Sequence, residues 1–537
     1  MSNNVHSYKA SKEAFVSGMT GSTVTHINLL SAAALSSIAF YSCLRSRLCL
    51  HSSQNFASEF LLLVAPLLLS VTLFANAPGA LSVLLLFPTV LLLLVPLRES
   101  GTPLPSSADM SPRTPLVHIW PPSTTSTSLL LAPLPALSTY RAHMMLITIL
   151  SILAVDFPVF PRILAKCETY GVSLMDMGVG SFVFSQGVVS AIPLLKDPSY
   201  LTSPLIPKTT RTLRKTLPVI LLGLVRVLLI KGTEYPEHVT EYGVHWNFFL
   251  TLGFIPVLQV LLHPIIVHAP ISMIGVLVAL AHQCALSLGL SSYVLDAPRT
   301  GLISANKEGI VSLIGYLAIH LLGLSTGTFL LPPSPSHFRR RQQSNKRTKR
   351  RDSNAASQGA NEAEKLTAFN TARRENDKTA TVLFSYTAIW WALLGACMLI
   401  GVGGGVSRRM VNLPYIAWVA AYNTSFILGY LLLDLYFFPS PLSRSMYSPT
   451  SKLKMQDTSR LPTLQQERPQ TAPPLLEAIN RNGLALFLLA NLATGVINMS
   501  MATMYASDAT AMIVLTLYAL GVCGAAWATR DRRLLKL

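Results

Sequence analysis

LAVDFPVFPRILAKCETYGVSLMDMGVGSFVFS, residues 153–185, joins two apolar runs through a short polar turn. The first run stops at Asp156. Pro158 and Pro161 then prevent the helix from continuing, because proline removes a backbone donor and clashes with the preceding turn. Arg162, Lys166 and Glu168 follow, and the second run opens near Gly171 and carries Asp176. Ionisable groups this close to membrane-length apolar runs are costly and are by default functional. A chain turned back by two prolines brings Lys166 toward Asp156, so these two are the expected partners. A desolvated carboxylate is a suitable base for a hydroxyl proton. The lysine would either hold that carboxylate charged or stabilise an oxyanion. A wetted carboxylate at a helix end is the plainer alternative.

The rest of the chain repeats the apolar run many times. Of 537 residues, 51% are hydrophobic and 12% charged, about half the charged share of a soluble domain. The stretch from Phe60 to Leu97 carries no charge, and about 20 apolar residues span a bilayer as a helix. Such runs are too long and too uniformly apolar for barrel strands. The expected fold is all-α, a polytopic transmembrane helical bundle of about thirteen spans. Cys43, Cys49, Cys167, Cys284, Cys397 and Cys523 are scattered without metal-ligand spacing, which reads as free thiols and no metal site. The first residues are polar and show no cleavable leader pattern, so the early spans are expected to direct insertion.

The net charge of +18 collects in the loops after the third, fifth, ninth and eleventh runs and in the C-terminal tail. By the positive-inside rule these loops are cytosolic, the N-terminus lumenal and the C-terminus cytosolic. The division that follows is 1–97 for three spans, 98–138 a low-complexity loop, and 139–331 six spans with the catalytic core. Residues 332–383 form a basic loop, 384–438 two spans, 439–474 a further loop, and 475–537 the last two spans and the basic tail. The run FRRRQQSNKRTKRR suits anionic membrane lipid rather than nucleic acid.

Other polar residues stand out. In EYPEHVTEYGVHWNFF, Glu237, Glu241 and His245 are spaced by four and share a face if a helix begins early. Glu241 would then orient His245 as a base. His238, Trp246 and Asn247 belong to the same group, although a tryptophan here also suits the membrane interface. Arg226 lies inside the sixth run, where it either snorkels or meets a phosphate. Asn306, Lys307 and Glu308 begin another run, and Glu308 suits a helix N-terminus. Asn491, Thr494 and Asn498 share one helical face, a pattern typical of interhelical hydrogen bonding. Asn423 and Asn498 match a glycosylation pattern but fall within runs, so glycosylation is not expected.

AVDFPVFPR, AKCETYGVSLMDMGVGSFVFSQG, EYPEHVTEYGVHWNFF, SANKEGI, NLPYIAWVAAYN and NGLALFLLANLATGVINMSM together resemble the fungal GPI-anchored wall transfer protein family. The resemblance covers nearly every apolar run and leaves out the three low-complexity loops. It implies an inositol acyltransferase of the endoplasmic reticulum membrane. This enzyme moves a fatty acyl group from acyl-CoA, with palmitoyl-CoA expected as donor, to the inositol of glucosaminyl-phosphatidylinositol. The family's acid–base pair falls on Asp156 and Lys166. Substrate binding is expected of Asp176, Arg226, His238, Glu241, His245, Trp246, Asn247, Asn306, Lys307 and Asn498. One departure is His26, where the family usually carries an acidic residue. No metal is expected.

Residue physics alone leaves a secondary transporter or lipid translocator with an intramembrane charge pair as the alternative. Transporters more often show matched interruptions in two halves, and this chain shows one, at 156–170. A non-catalytic subunit of a lipid-processing complex is a third reading. An acyltransferase also needs a route for a cytosolic donor to a lumen-facing site. Either a deep cavity crosses the bundle or the donor reaches the site by another route.

Overall fold

The computed structural model describes residues 11–12, 14–15, 17–47, 55–95, 133–230, 239–340, 342–343, 374–438 and 472–535. Most of each low-complexity loop lies outside the described residues, as do Glu237 and His238. The described residues form helices and no strand. Their extended pairing is a bridge between Ser22 and Val172.

In chain order the helices are α1 (Val24–Arg47), α2 (Phe56–Val71), α3 (Ala80–Leu93), α4 (Pro135–Ala154) and α5 (Leu174–Lys196). They continue as α6 (Leu205–Ile230), α7 (Val239–Tyr242), α8 (Phe248–Leu261), α9 (Ile271–Asp296) and α10 (Lys307–Leu330). The last five are α11 (Asn376–Ile400), α12 (Leu413–Phe437), α13 (Pro474–Arg481), α14 (Gly483–Ser500) and α15 (Asp508–Ala528). Every apolar run coincides with a helix, but nine described helices are long and apolar enough to cross a membrane. α2, α3 and α8 are shorter, and α6 carries Lys208, Arg211, Arg214 and Lys215 in its first half. The count of about thirteen spans is therefore not established, while the all-helical membrane bundle is.

α10 and α12 form the centre, each with about four-fifths of its apolar window buried. α10 lies against α5 at backbone contact. A Cβ on Gly187 would meet the His320 carbonyl oxygen at 2.1 Å, and one on Gly323 the Phe184 carbonyl oxygen at 2.1 Å. Small residues allow this approach, and in a membrane close packing is what holds helices together. α11 and α14 are peripheral, and side chains such as Leu399 and Met499 point outward, each 90% exposed. Apolar exposure on that scale marks a lipid-facing surface. Near the start of α1, His26 is tied by its Nδ1 to Ser22 and donates from Nε2 to the Ala75 carbonyl at 2.8 Å. It therefore links α1 to the turn before α3. Asn423 of α12 is fully buried.

Candidate active site

A cavity of about 330 Å³ opens at the end of the bundle where α4 finishes and α5 begins. Its volume falls within the range of about 300–1,000 Å³ typical of small-molecule sites. Lys12, Asp156, Lys166, Glu168, Glu241 and Arg408 give it a charged end. From Asp156 its wall follows α4 inward past Ser151, Ile147 and Met144 to His143 and Tyr140. At 1.5 Å per residue that wall is about 24 Å long. Phe426 and Tyr430 of α12 also line it, and the Tyr430 hydroxyl bonds His143 Nδ1 at 2.7 Å. The cavity is thus charged at one end and mainly apolar along its length.

The two prolines do break α4 where the sequence requires it. Arg162 then closes the turn, donating to the carbonyls of Val155 at 2.8 Å, Phe157 at 3.0 Å and Phe160 at 2.8 Å. Phe157 and Phe160 are fully buried beneath it. Carbonyls freed at a helix end need such donors. Burial pulls the Arg162 guanidinium down to about 10 and the Asp156 charge opposes that, so it stays cationic at neutral pH. Asp156 is held 5% exposed. One carboxylate oxygen accepts from Asn498 Nδ2 at 2.8 Å, and the other faces Lys12 Nζ at 3.4 Å.

A second charged group runs beside it. Lys166 Nζ reaches the two Glu241 oxygens at 2.8 and 3.0 Å. Glu241 also lies 3.2 Å from Arg408, whose Nε donates to Asp176 at 2.5 Å. The other Asp176 oxygen accepts the Cys167 backbone N–H at 3.0 Å. Four charges of alternating sign therefore tie the 155–173 turn to α7 and to the loop before α12. Burial alone would lower the Arg408 pKa, but Glu241 and Asp176 more than offset it and hold the pKa above its ordinary value. The Lys166 side chain is 40% exposed against 3% for Arg408, so the lysine is the end of the network a substrate can reach.

The loop from Gly401 to Asn412 aims the arginine. Gly401, Gly403, Gly404 and Gly405 all have positive φ, and so does Val411 at 49°. A β-branched residue rarely adopts that conformation, and such strain costs on the order of 1–3 kcal/mol. Asn412 stabilises the loop, its Oδ1 accepting from the N–H of Ser407 at 3.0 Å and of Tyr415 at 3.3 Å. With the loop so folded, Arg408 and Arg409 both point inward, and Arg409 meets Glu308 at 2.9 Å.

Cys167 also lines the cavity, between Lys166 and Glu168. Burial, followed by the Asp176 charge, pushes its thiol up to about 12. The nucleophile in thiol chemistry is the thiolate, which is scarce here at neutral pH. Among the described residues no group of three or more His, Cys, Asp or Glu side chains is placed to hold a metal.

The GWT1 family model matches residues 8–529. The chain belongs to the GWT1 family. It is similar to GPI-anchored wall transfer protein 1 of Gibberella zeae, 37% identical over 97% of both chains. It is also similar to the protein of that name in Aspergillus oryzae, 38% identical over 99% of both. The Cryptococcus neoformans var. grubii protein is 45% identical over 75% of this chain, and the match spans 63% of that relative's length.

In this GWT1-family chain Asp156 and Lys166 line the same cavity, but they do not pair with each other. Asp156 takes Lys12 and Asn498, and Lys166 takes Glu241. The turn does bring both to one mouth, yet nearer partners from distant segments satisfy each charge. Glu241 does not orient His245. α7 ends at Tyr242, and Gly243 at φ 113° turns the chain, so the two residues share no helix face. The His245 N–H instead donates to Asn306 Oδ1 at 2.7 Å.

Arg226, Trp246 and Asn247 line the cavity as expected. Asn247 also caps α8 and donates to the Gly223 carbonyl at 2.7 Å. Asp176, His245, Asn306, Lys307 and Asn498 do not line it. Asp176 is sequestered with Arg408. Lys307 is spent on the carbonyls of Tyr293 at 3.2 Å and Ala297 at 2.5 Å. Glu308 does more than sit at a helix start, since Arg299 grips it through both guanidinium nitrogens at 2.9 and 2.5 Å. Asn498 bridges α14 to the end of α4, whereas Asn491 bonds back to its own helix. Lys12 and Arg408 are the site residues that sequence reasoning missed.

Proposed function

We propose that this protein is an acyl-CoA-dependent inositol acyltransferase of GPI-anchor synthesis in the endoplasmic reticulum membrane. The observation that carries this reading is the cavity itself, with a carboxylate and a lysine at one end and an apolar channel along α4. A fatty acyl chain fills such a channel and presents its thioester at the charged end.

In the proposed reaction the acceptor hydroxyl lies against Asp156. Its oxygen attacks the thioester carbonyl carbon as Asp156 takes its proton. Lys166, freed from Glu241 by a short swing of its exposed side chain, donates to the carbonyl oxygen as negative charge develops there. The carbon–sulfur bond then breaks, the ester forms, and the coenzyme A sulfur leaves with the proton returned by Asp156. Relatives that carry the name GPI-anchored wall transfer protein 1 support an acceptor of the glucosaminyl-phosphatidylinositol class.

The test is the purified full chain in lipid nanodiscs with labelled palmitoyl-CoA and glucosaminyl-phosphatidylinositol. Equal amounts of acylated lipid and free coenzyme A are expected. Transfer that needs a second protein would refute an enzyme complete in this chain.

Arg226 gives a sharper expectation. It lines the cavity from α6, exposed among Leu224, Val225 and Leu228, and no hydrogen bond or ion pair engages it among the described residues. A guanidinium so placed suits the phosphate of a phospholipid acceptor. Arg226→Ala should raise KM for the acceptor about tenfold to a hundredfold, the equivalent of roughly 1.5–3 kcal/mol for a charged hydrogen bond. KM for palmitoyl-CoA should stay put. A change in donor KM alone would assign Arg226 to the wrong substrate.

A further inference from the structure

The described residues before α1, from Lys12 to Ser22, bring Lys12 to the mouth of the cavity and meet the 155–173 turn at several points. Phe15 stacks on the Arg162 guanidinium, whose central carbon sits 4.1 Å from the ring centre. The Gly18 N–H donates to Glu168 Oε1 at 3.0 Å, and the Glu168 N–H donates to the Met19 carbonyl at 3.3 Å. The Ser22 N–H donates to the Val172 carbonyl at 2.7 Å. Gly21, at φ 81°, has no room for a side chain, since a Cβ there would meet Cys167 Sγ and the Val172 oxygen at 2.6 Å. This strap delivers Lys12 into the site with its side chain 9% exposed.

Lys12 Nζ donates to Asn498 Oδ1 at 2.9 Å, and Thr503 Oγ1 donates to the same oxygen at 3.1 Å. Two donors on that oxygen decide which way the amide faces. Its NH₂ group must then point at Asp156, where it donates at 2.8 Å. The lysine's own approach to Asp156 is looser, at 3.4 Å.

We infer that Lys12 is a positioning residue for acyl transfer, acting through Asn498 and Asp156. The inference rests on the function proposed above and adds a residue and a segment to it. Seated, Lys12 locks the Asn498 amide and, through its 3.4 Å ion pair, holds Asp156 aimed into the cavity. The acceptor hydroxyl enters on the loose side, between Lys12 and the carboxylate. It lengthens that contact as its proton passes to the carboxylate. Lys12 remains bonded to Asn498 throughout, so the strap stays closed during the step.

The test compares full-length wild type, Lys12→Ala, Lys12→Gln and Lys12→Arg in nanodiscs, reading kcat, both KM values and melting temperature. Lys12→Ala and Lys12→Gln should lower kcat about tenfold to a hundredfold, as loss of an interaction acting at the chemical step does, with KM for palmitoyl-CoA unchanged. Lys12→Arg should recover most of that loss. Lys12→Gln keeps a donor for Asn498 without the charge, so it decides the matter if Lys12→Ala unfolds. Wild-type kcat in Lys12→Gln would overturn the inference while leaving the proposed function intact. So would a kcat loss in all three variants that merely tracks melting. An inactive wild type would instead refute the proposed function, and this inference with it.

Discussion

Asp156→Asn is expected to reduce acyl transfer by about a hundredfold to ten-thousandfold, the range a positioned general base contributes. The substitution keeps the side chain's shape and its place at the end of α4. It removes the group that accepts the hydroxyl proton, and a sugar hydroxyl is a poor nucleophile without that help. The Asn498 NH₂ group, 2.8 Å from the carboxylate, can still be accepted by an amide oxygen, so folding should survive. Binding of palmitoyl-CoA should survive as well, because the channel along α4 is untouched. The measurement is kcat in nanodiscs beside donor binding and thermal melting. Near-normal turnover would remove Asp156 from the chemistry, and Glu168, which also lines the cavity, would be the next carboxylate to examine.

The second large effect belongs to Arg408. Its side chain is 3% exposed and holds both Asp176, which is fully buried, and Glu241. Arg408→Met leaves two carboxylates facing each other without their shared cation. Breaking a buried ion pair by removing one partner typically costs about 3–5 kcal/mol. We expect a large fall in the melting temperature of the detergent-solubilised protein and little folded protein at elevated temperature. Adding Asp176→Asn to that variant should recover part of the loss, because one uncompensated charge is then gone. A single variant that melts like wild type would show that the network contributes nothing to the fold. A double variant that melts no higher than the single would show that lost packing, not charge, is the cause.

The two effects separate chemistry from architecture within one site. Asp156 touches the reacting hydroxyl in the proposed step. Arg408 sets the 155–173 turn, through Asp176 and the Cys167 backbone, and with it the place from which Lys166 reaches in. Lys166 pairs with Glu241 in the resting site rather than with Asp156, so it is positioned by the same network that Arg408 completes.

Much of this was legible in the residue order. Apolar runs report bilayer length directly, so the helices and their approximate limits followed. Asp156 and Lys166 were visible because ionisable side chains at a proline-broken junction between two such runs are expensive. Arg226 stood out for the same reason. Other features were not open to that reasoning. Glu241 and His245 keep helical spacing, but Gly243 turns the chain between them, and nothing in the spacing reveals a turn. Arg408 sits in GVGGGVSRRM, where two arginines resemble one more basic loop. The available signal was their place on the side of the bundle that the charge rule leaves poor in cations. Lys12 lies in a polar stretch where a lysine draws no notice.

Sequence by itself thus determined the class of protein, the run of helices and the neighbourhood of the site, because burial of apolar length in lipid is a local property of the chain. Tertiary structure alone decided which polar and charged groups meet. Lys12 and Asn498 are 486 positions apart, and Arg408 and Asp176 are 232. Their pairing depends on how α5, α10, α12 and α14 pack, through backbone contacts such as Gly187 against His320. An ion pair needs its partners within a few ångströms, and only the packed bundle brings residues that far apart in the chain to that distance.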